Sequence, residues 1–110
     1  MNEDRHIQEV KSATTLRFND LWQKNFQANQ NIIQKNPGVV ALVQKFREIP
    51  AIIVGAGPSL DKNINLLGRA QGHSLIISSD AALKPLLSHG VIPSIVVSLD
   101  PQEEIAKFFQ

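Results

Sequence analysis

The string from Ile52 to Asp61, IIVGAGPSLD, constrains this chain more than any other, because a short apolar run enters two glycines, a proline and a serine. An apolar run closed by glycine reads as a buried strand, and Ser59 followed by Leu60 and Asp61 reads as the start of a helix. A strand that passes into a helix through such a segment makes a loop shaped to hold a phosphate or a nucleotide. Gly55 and Gly57 are expected to take positive φ and bring their amides close to a ligand. Ser59 is expected to cap a helix whose positive end faces the same spot.

The residues beyond Pro50 extend this reading. Apolar runs at 51 to 54, 74 to 77 and 94 to 97 alternate with segments of helical character, the pattern of parallel strands in a buried sheet. The first intervening helix is expected to start near Ser59 and to turn Leu60, Ile64, Leu66 and Leu67 toward the sheet. Its end falls around Ala70 to Gly72, with Gly72 as the C-terminal cap. The second helix contains Leu83, Leu86 and Leu87 and ends at His89 and Gly90, with Val91 as the apolar contact that follows a glycine cap. Proline is tolerated in a helix's first turn, so Pro85 predicts a late start, after an irregular stretch at 79 to 83.

A repetition supports the alternation. LIISSD at 75 to 80 and IVVSLD at 95 to 100 share one design, an apolar run, a serine, one residue and an aspartate, offset by 20 residues. A strand, a short helix and two turns fit that offset, which places Asp80 and Asp100 just past the carboxyl ends of neighbouring strands. The glycine loop lies on the same edge, where open α/β sheets bind their ligands. The fold class is therefore α/β: a Rossmann-like, doubly wound parallel sheet of three strands over residues 50–110, read as the N-terminal half of a domain. An all-helical segment over 1–49 precedes it.

In that segment Phe18, Leu21, Trp22, Phe26, Ile32 and Ile33 recur at three-to-four-residue spacing between Thr14 and Lys35, an apolar stripe read as a packing face. Asn36, Pro37 and Gly38 stop this helix, and Val39, Val40, Leu42, Val43 and Phe46 predict a shorter one reaching Arg47. At the other end QEEIAKFFQ reads as a third helix just starting. Exposed Phe108 and Phe109 there would favour a homo-oligomer or a missing second half.

Composition narrows the partners. Eleven basic against ten acidic residues give a net charge of +1, which supplies no field that would select nucleic acid or an anionic membrane. With no cysteine, thiolate metal sites and disulfides are excluded. The start, MNEDRHIQEV, lacks the apolar stretch of a signal peptide, so a soluble, cytoplasmic protein is expected. His6 and His73 have no neighbours in sequence that suggest a metal site, and His89 at a helix end reads as structural.

The loop departs from two common designs. Dinucleotide loops read G-x-G-x-x-G, and here Leu60 occupies the third glycine's place while Pro58 lacks an amide, which argues against NAD or FAD. No G-x-x-x-x-G-K-[ST] string is present. A tight turn without a ligand is the competing account of the loop. Capping of the following turns accounts for Asp80 and Asp100 as well as a ligand does. Ser78 and Ser98 are placed either to bond a base or ribose or to satisfy backbone groups. Lys84 reads as a solvated lysine with a phosphate contact as the alternative.

From about Trp22 onward, the segments PAIIVGAGPSLDKNINLL, LIISSDAALKPLLSHGVIP and IVVSLDP resemble the family of bacterial motility-associated factors. These proteins are similar to sialyltransferases and are described as attaching nonulosonic, sialic-like sugars to flagellin from a CMP-activated donor. Their archaeal relatives are 6-hydroxymethylpterin diphosphokinases. The resemblance implies that Gly55, Gly57, Pro58 and Ser59 cradle the donor nucleotide and that Asp80 and Asp100 line the same pocket; Ala56, within the loop, and Ser78 and Ser98, at the strand ends, complete the candidate nucleotide site. It implies a CMP-sugar as donor substrate and flagellin as acceptor, and it firmly implies no cofactor, with Mg²⁺ left open; no residue here reads as a convincing catalytic base, which is expected beyond Gln110. The diphosphokinases favour a doubled acidic string with glycine after the third strand, to hold Mg²⁺ for transfer from ATP. The SLDP found here offers a poorer Mg²⁺ site, which favours the sugar-transferase branch over a pterin-type diphosphokinase. A non-catalytic interaction module built on the helical stripe is the remaining alternative.

Overall fold

A computed structural model describes residues 2–110. The chain divides into two compact units, one reaching Gly38 and the other spanning Val39–Gln110.

The first unit is helical. Helix α1 (Asn2–Ala28) breaks at Asn29, whose φ of −94° and ψ of 4° leave the helical region, and the chain resumes as α2 (Gln30–Lys35). The Gln30 side-chain amide donates to the Phe26 carbonyl across the break. The stripe therefore runs over two helices, and the first begins well before Thr14. Asn36 ends α2 in extended conformation, as a residue before proline prefers, and its side-chain amide donates to the Ile32 carbonyl at 2.8 Å. Phe18 and Trp22 contact each other with ring centroids 6.0 Å apart. Among the described residues of this unit no side chain is fully buried, and on the stripe Phe18 and Leu21 are half-buried.

The second unit opens with a correction. In place of a helix to Arg47 there is a single 3-10 turn, Val39–Leu42, followed by turns in which Gln44 and Glu48 take φ of 62° and 63°. A left-handed residue ends right-handed winding, so the apolar spacing of this segment never becomes a helix.

From Pro50 the alternation holds. Strand β1 (Ala51–Val54) leads to α3 (Leu60–Ala70), β2 (Leu75–Ser79), α4 (Asp80–Ser88) and β3 (Ile95–Val97), and the strands pair in parallel in the order β1-β2-β3. This is the α/β, Rossmann-like partial fold the sequence predicts. Ile52 sits opposite Ile76 and Val54 opposite Ser78 in the first ladder. Val54, Ile76, Leu60, Ile64, Leu67, Ala82, Leu86 and Val91 form one core, with Ile52 packed against it. Because α3 and α4 share that cluster, both cover the same sheet face. Period-two alternation turns Ile53 to the other face, where it is 83% exposed. Leu66, expected in the core, is exposed: it stands one residue before Leu67 and therefore about 100° around the helix from the buried row.

Helix α4 starts at Asp80 with no irregular stretch before it, and Pro85 lies in its interior. A mid-helix proline costs about 3 kcal/mol, yet Ala82 and Leu86 are fully buried one turn apart on the side facing the core, and that burial offsets it. The helix ends as predicted. The Gly90 amide donates to the Leu87 carbonyl and the Val91 amide to the Leu86 carbonyl, Gly90 takes φ of 74°, and Val91 is buried. That is a Schellman motif with its apolar contact. Helix α3 ends differently: Gln71, extended, is its C-cap, and Gly72, with φ of 86°, is the third residue of the turn the His73 amide closes on the Ala70 carbonyl, so Gly72 is not the cap the sequence predicts. The terminal segment Glu103–Phe109 is a 3-10 helix packed against α4, in which Phe108 is half-buried and Phe109 exposed.

Candidate functional site

The strand ends deliver three loops to one edge of the sheet. The first, residues 55 to 59, joins β1 to α3. The Leu60 amide donates to the Gly57 carbonyl at 3.0 Å, closing a turn with Pro58 as its second residue, where a fixed φ suits it. Ser59 already has helical dihedrals, φ −66° and ψ −21°, and its side chain makes no capping bond. Proline starts the winding before serine is reached, so Ser59 is not the cap the sequence predicts. Its carbonyl accepts from the Lys62 amide and from the Asn63 side chain.

The glycines are corrected too. Neither Gly55 nor Gly57 is among the positive-φ residues. Their significance is room: a Cβ built on either meets nothing within 4 Å. The amides of Gly55, Ala56, Gly57 and Ser59 donate to no protein acceptor among the described residues, and all of loop 55 to 59 is exposed. The loop thus presents unengaged donors over open space, ahead of an 11-residue helix.

The second and third loops are tied to each other. One oxygen of Asp80, Oδ1, accepts the Ala81 amide at 2.7 Å, and Oδ2 accepts the Ser98 hydroxyl at 2.7 Å. The carboxylate therefore fixes the first turn of α4 and holds the chain leaving β3. Asp100 turns away into its own segment, with Oδ1 accepting the Gln102 amide at 2.9 Å and both oxygens receiving the Gln102 side chain. Ser78 is buried and donates to the Ser79 carbonyl at 2.6 Å. His89 lies against the Pro85 carbonyl at 2.9 Å, a structural position at the end of α4. Lys84 is exposed.

A hollow of about 480 Å³ lies at this edge, lined by Gly55, Ser78, Ser79 and Asp80 together with Ile53, Ile77, Val97 and Leu99. It brings together three of the predicted residues, Gly55, Ser78 and Asp80. Ala56, Gly57, Pro58 and Ser59 follow Gly55 along the loop, and Ser98 is joined through Asp80. Asp100 does not line it. Sequence reading missed Ser79 and the aliphatic floor; the signal was the alternation in β1, which sends Ile53 away from the core. Among the described residues no group of three or more His, Asp or Glu side chains is placed to hold a metal ion. No helix of the described residues is long and apolar enough to cross a membrane.

A parallel three-stranded sheet with a helix after each of its first two strands, and a glycine-bearing loop at the carboxyl end of the first, defines the class, a Rossmann-like α/β partial fold. The chain belongs to the 6-hydroxymethylpterin diphosphokinase MptE-like family, whose model matches residues 24–110. It is 31% identical over 94 residues to an uncharacterized protein of Treponema pallidum (strain Nichols), an alignment covering 82% of this chain and 42% of that protein. The chain thus spans less than half of that relative's length. No solved structure matches it.

Proposed function

We propose that the chain is the nucleotide-sugar-binding part of a transferase of the motility-associated-factor type, which moves a nonulosonic sugar from a CMP donor to a flagellin acceptor. One observation carries the reading: the loop Gly55 to Ser59 keeps its amides unengaged, with open space over both glycines, at the start of α3. Such donors at a helix N-terminus suit the phosphate of a nucleotide. The same unengaged donors suit a departing phosphate, whose developing charge they would receive. Asp80 is committed to Ala81 and Ser98, so its role in this reading is to shape the pocket, and the base that activates the acceptor lies outside the described residues.

A pterin-type diphosphokinase using ATP and Mg²⁺ is the second reading, favoured by the description of the matching family. Thermal-shift measurements with CMP, CDP, ATP plus Mg²⁺, and NAD separate them. A ligand at 100 times its dissociation constant stabilises by about 2.7 kcal/mol, which is readily measured in a unit this small. The sugar-transferase reading expects CMP and CDP to raise the melting temperature. Stabilisation by ATP with Mg²⁺ alone would replace it with the diphosphokinase.

A further inference from the structure

Resting on that nucleotide-binding reading, we infer that the bare face of the sheet holds the ligand's planar ring. The hollow's floor is aliphatic and its polar groups converge at one end. Ile53 and Ile77 are register partners across β1 and β2, and Ser79 and Val97 across β2 and β3. With strands about 4.8 Å apart, three of them make a floor about 10 Å across, wide enough to carry a heteroaromatic ring. The floor is open, with Ile53 83% and Leu99 84% exposed, and the volume of about 480 Å³ falls within the roughly 300–1,000 Å³ of small-molecule pockets.

The polar end fixes the orientation and the class of ring. Gly55 lines the hollow and is also the first residue of the amide-bearing loop, so a nucleotide phosphate on the loop directs its base over Ile53 and Ile77. At the far side of that end stands Asp80, whose two oxygens each accept one hydrogen bond within the protein. A carboxylate oxygen has two acceptor sites, which leaves Asp80 able to receive an N–H from a ring edge. The hollow therefore selects a planar nitrogen heterocycle carrying N–H donors, standing on aliphatic side chains with its phosphate at the glycine loop.

Neutral truncations of the floor test this without altering the charge seen by the phosphate. The full 110-residue chain and its Ile53→Ser and Leu99→Ser variants would be titrated calorimetrically with CMP and with ribose 5-phosphate, which lacks the ring. Both side chains are exposed, so the variants should keep the fold, as circular dichroism would verify. The inference expects each substitution to weaken CMP about fivefold, near 1 kcal/mol, with ribose 5-phosphate unchanged. Equal weakening of both probes, or no change in either, overturns it. Gly57→Val separates the two levels: if it leaves both probes unaffected, the loop reading fails as well, whereas loss of both alongside an insensitive floor removes the ring placement alone. A native chain that binds neither probe overturns both.

Discussion

Two turns in this molecule do the same topological job, carrying the chain from a parallel strand into a helix, and they solve it in opposite ways. Between β2 and α4 a side chain enters the turn: Asp80 accepts the Ala81 amide and the Ser98 hydroxyl, and Ser78 is tied to the Ser79 carbonyl, although Ser79 at the helix start makes no capping bond. Between β1 and α3 the side chain at the helix start makes no capping bond, and four loop amides meet no protein acceptor among the described residues. A helix N-terminus leaves donors that something must satisfy. The contrast is that one turn draws an acceptor from its own side chain, Asp80, and the other draws none from the described residues.

Substitutions can break or sharpen that contrast. The largest effect is expected at Leu86, fully buried in α4 and acceptor of the Val91 amide through its carbonyl. Leu86→Ala should destabilise by about 2–5 kcal/mol, read as a lower denaturation midpoint in urea. Gly57→Val comes next: with space around the added side chain and no positive φ to strain, the melting temperature should hold while CMP affinity falls at least tenfold, about 1.4 kcal/mol. Undiminished binding would place the phosphate elsewhere. Asp80→Ala removes acceptors from two partners at a half-buried site and should cost about 1 kcal/mol, measured by chemical denaturation. If it costs nothing, the turn is not held by its carboxylate. Smallest is Ser59→Ala, expected to move stability by less than about 0.5 kcal/mol, since the hydroxyl makes no capping bond. A loss of about 1 kcal/mol, typical of a true cap, would make the two turns alike.

Much of this arrangement was legible in the chain. The apolar runs located all three strands, and Leu60, Ile64 and Leu67 announced the buried row of α3. The glycine cap with Val91 behind it was legible because its chemistry is local. The failures came where tertiary burial or neighbouring geometry overrode a local rule. Pro85 predicts a late helix start, but Ala82 and Leu86 bury on either side of it. Ser59 has a capping residue's chemistry, but Pro58 winds the chain first. Gly55 and Gly57 invite an assignment of positive φ, whereas neither takes it and each simply leaves open the space a side chain would fill. Between Val39 and Arg47 the apolar spacing fits a helix, yet Gln44 and Glu48 are left-handed. The pairing of Asp80 with Ser98 is a contact 18 residues apart that no local pattern announces.

The aliphatic make-up of the core has a spectroscopic consequence. The chain has one tryptophan and no tyrosine, and Trp22 belongs to the helical unit. Intrinsic emission excited near the red edge therefore arises outside the α/β unit, whose buried side chains carry no chromophore of that kind. An unfolding curve drawn from this emission monitors the surroundings of α1. Melting of the sheet is better followed through its heat capacity or its methyl resonances.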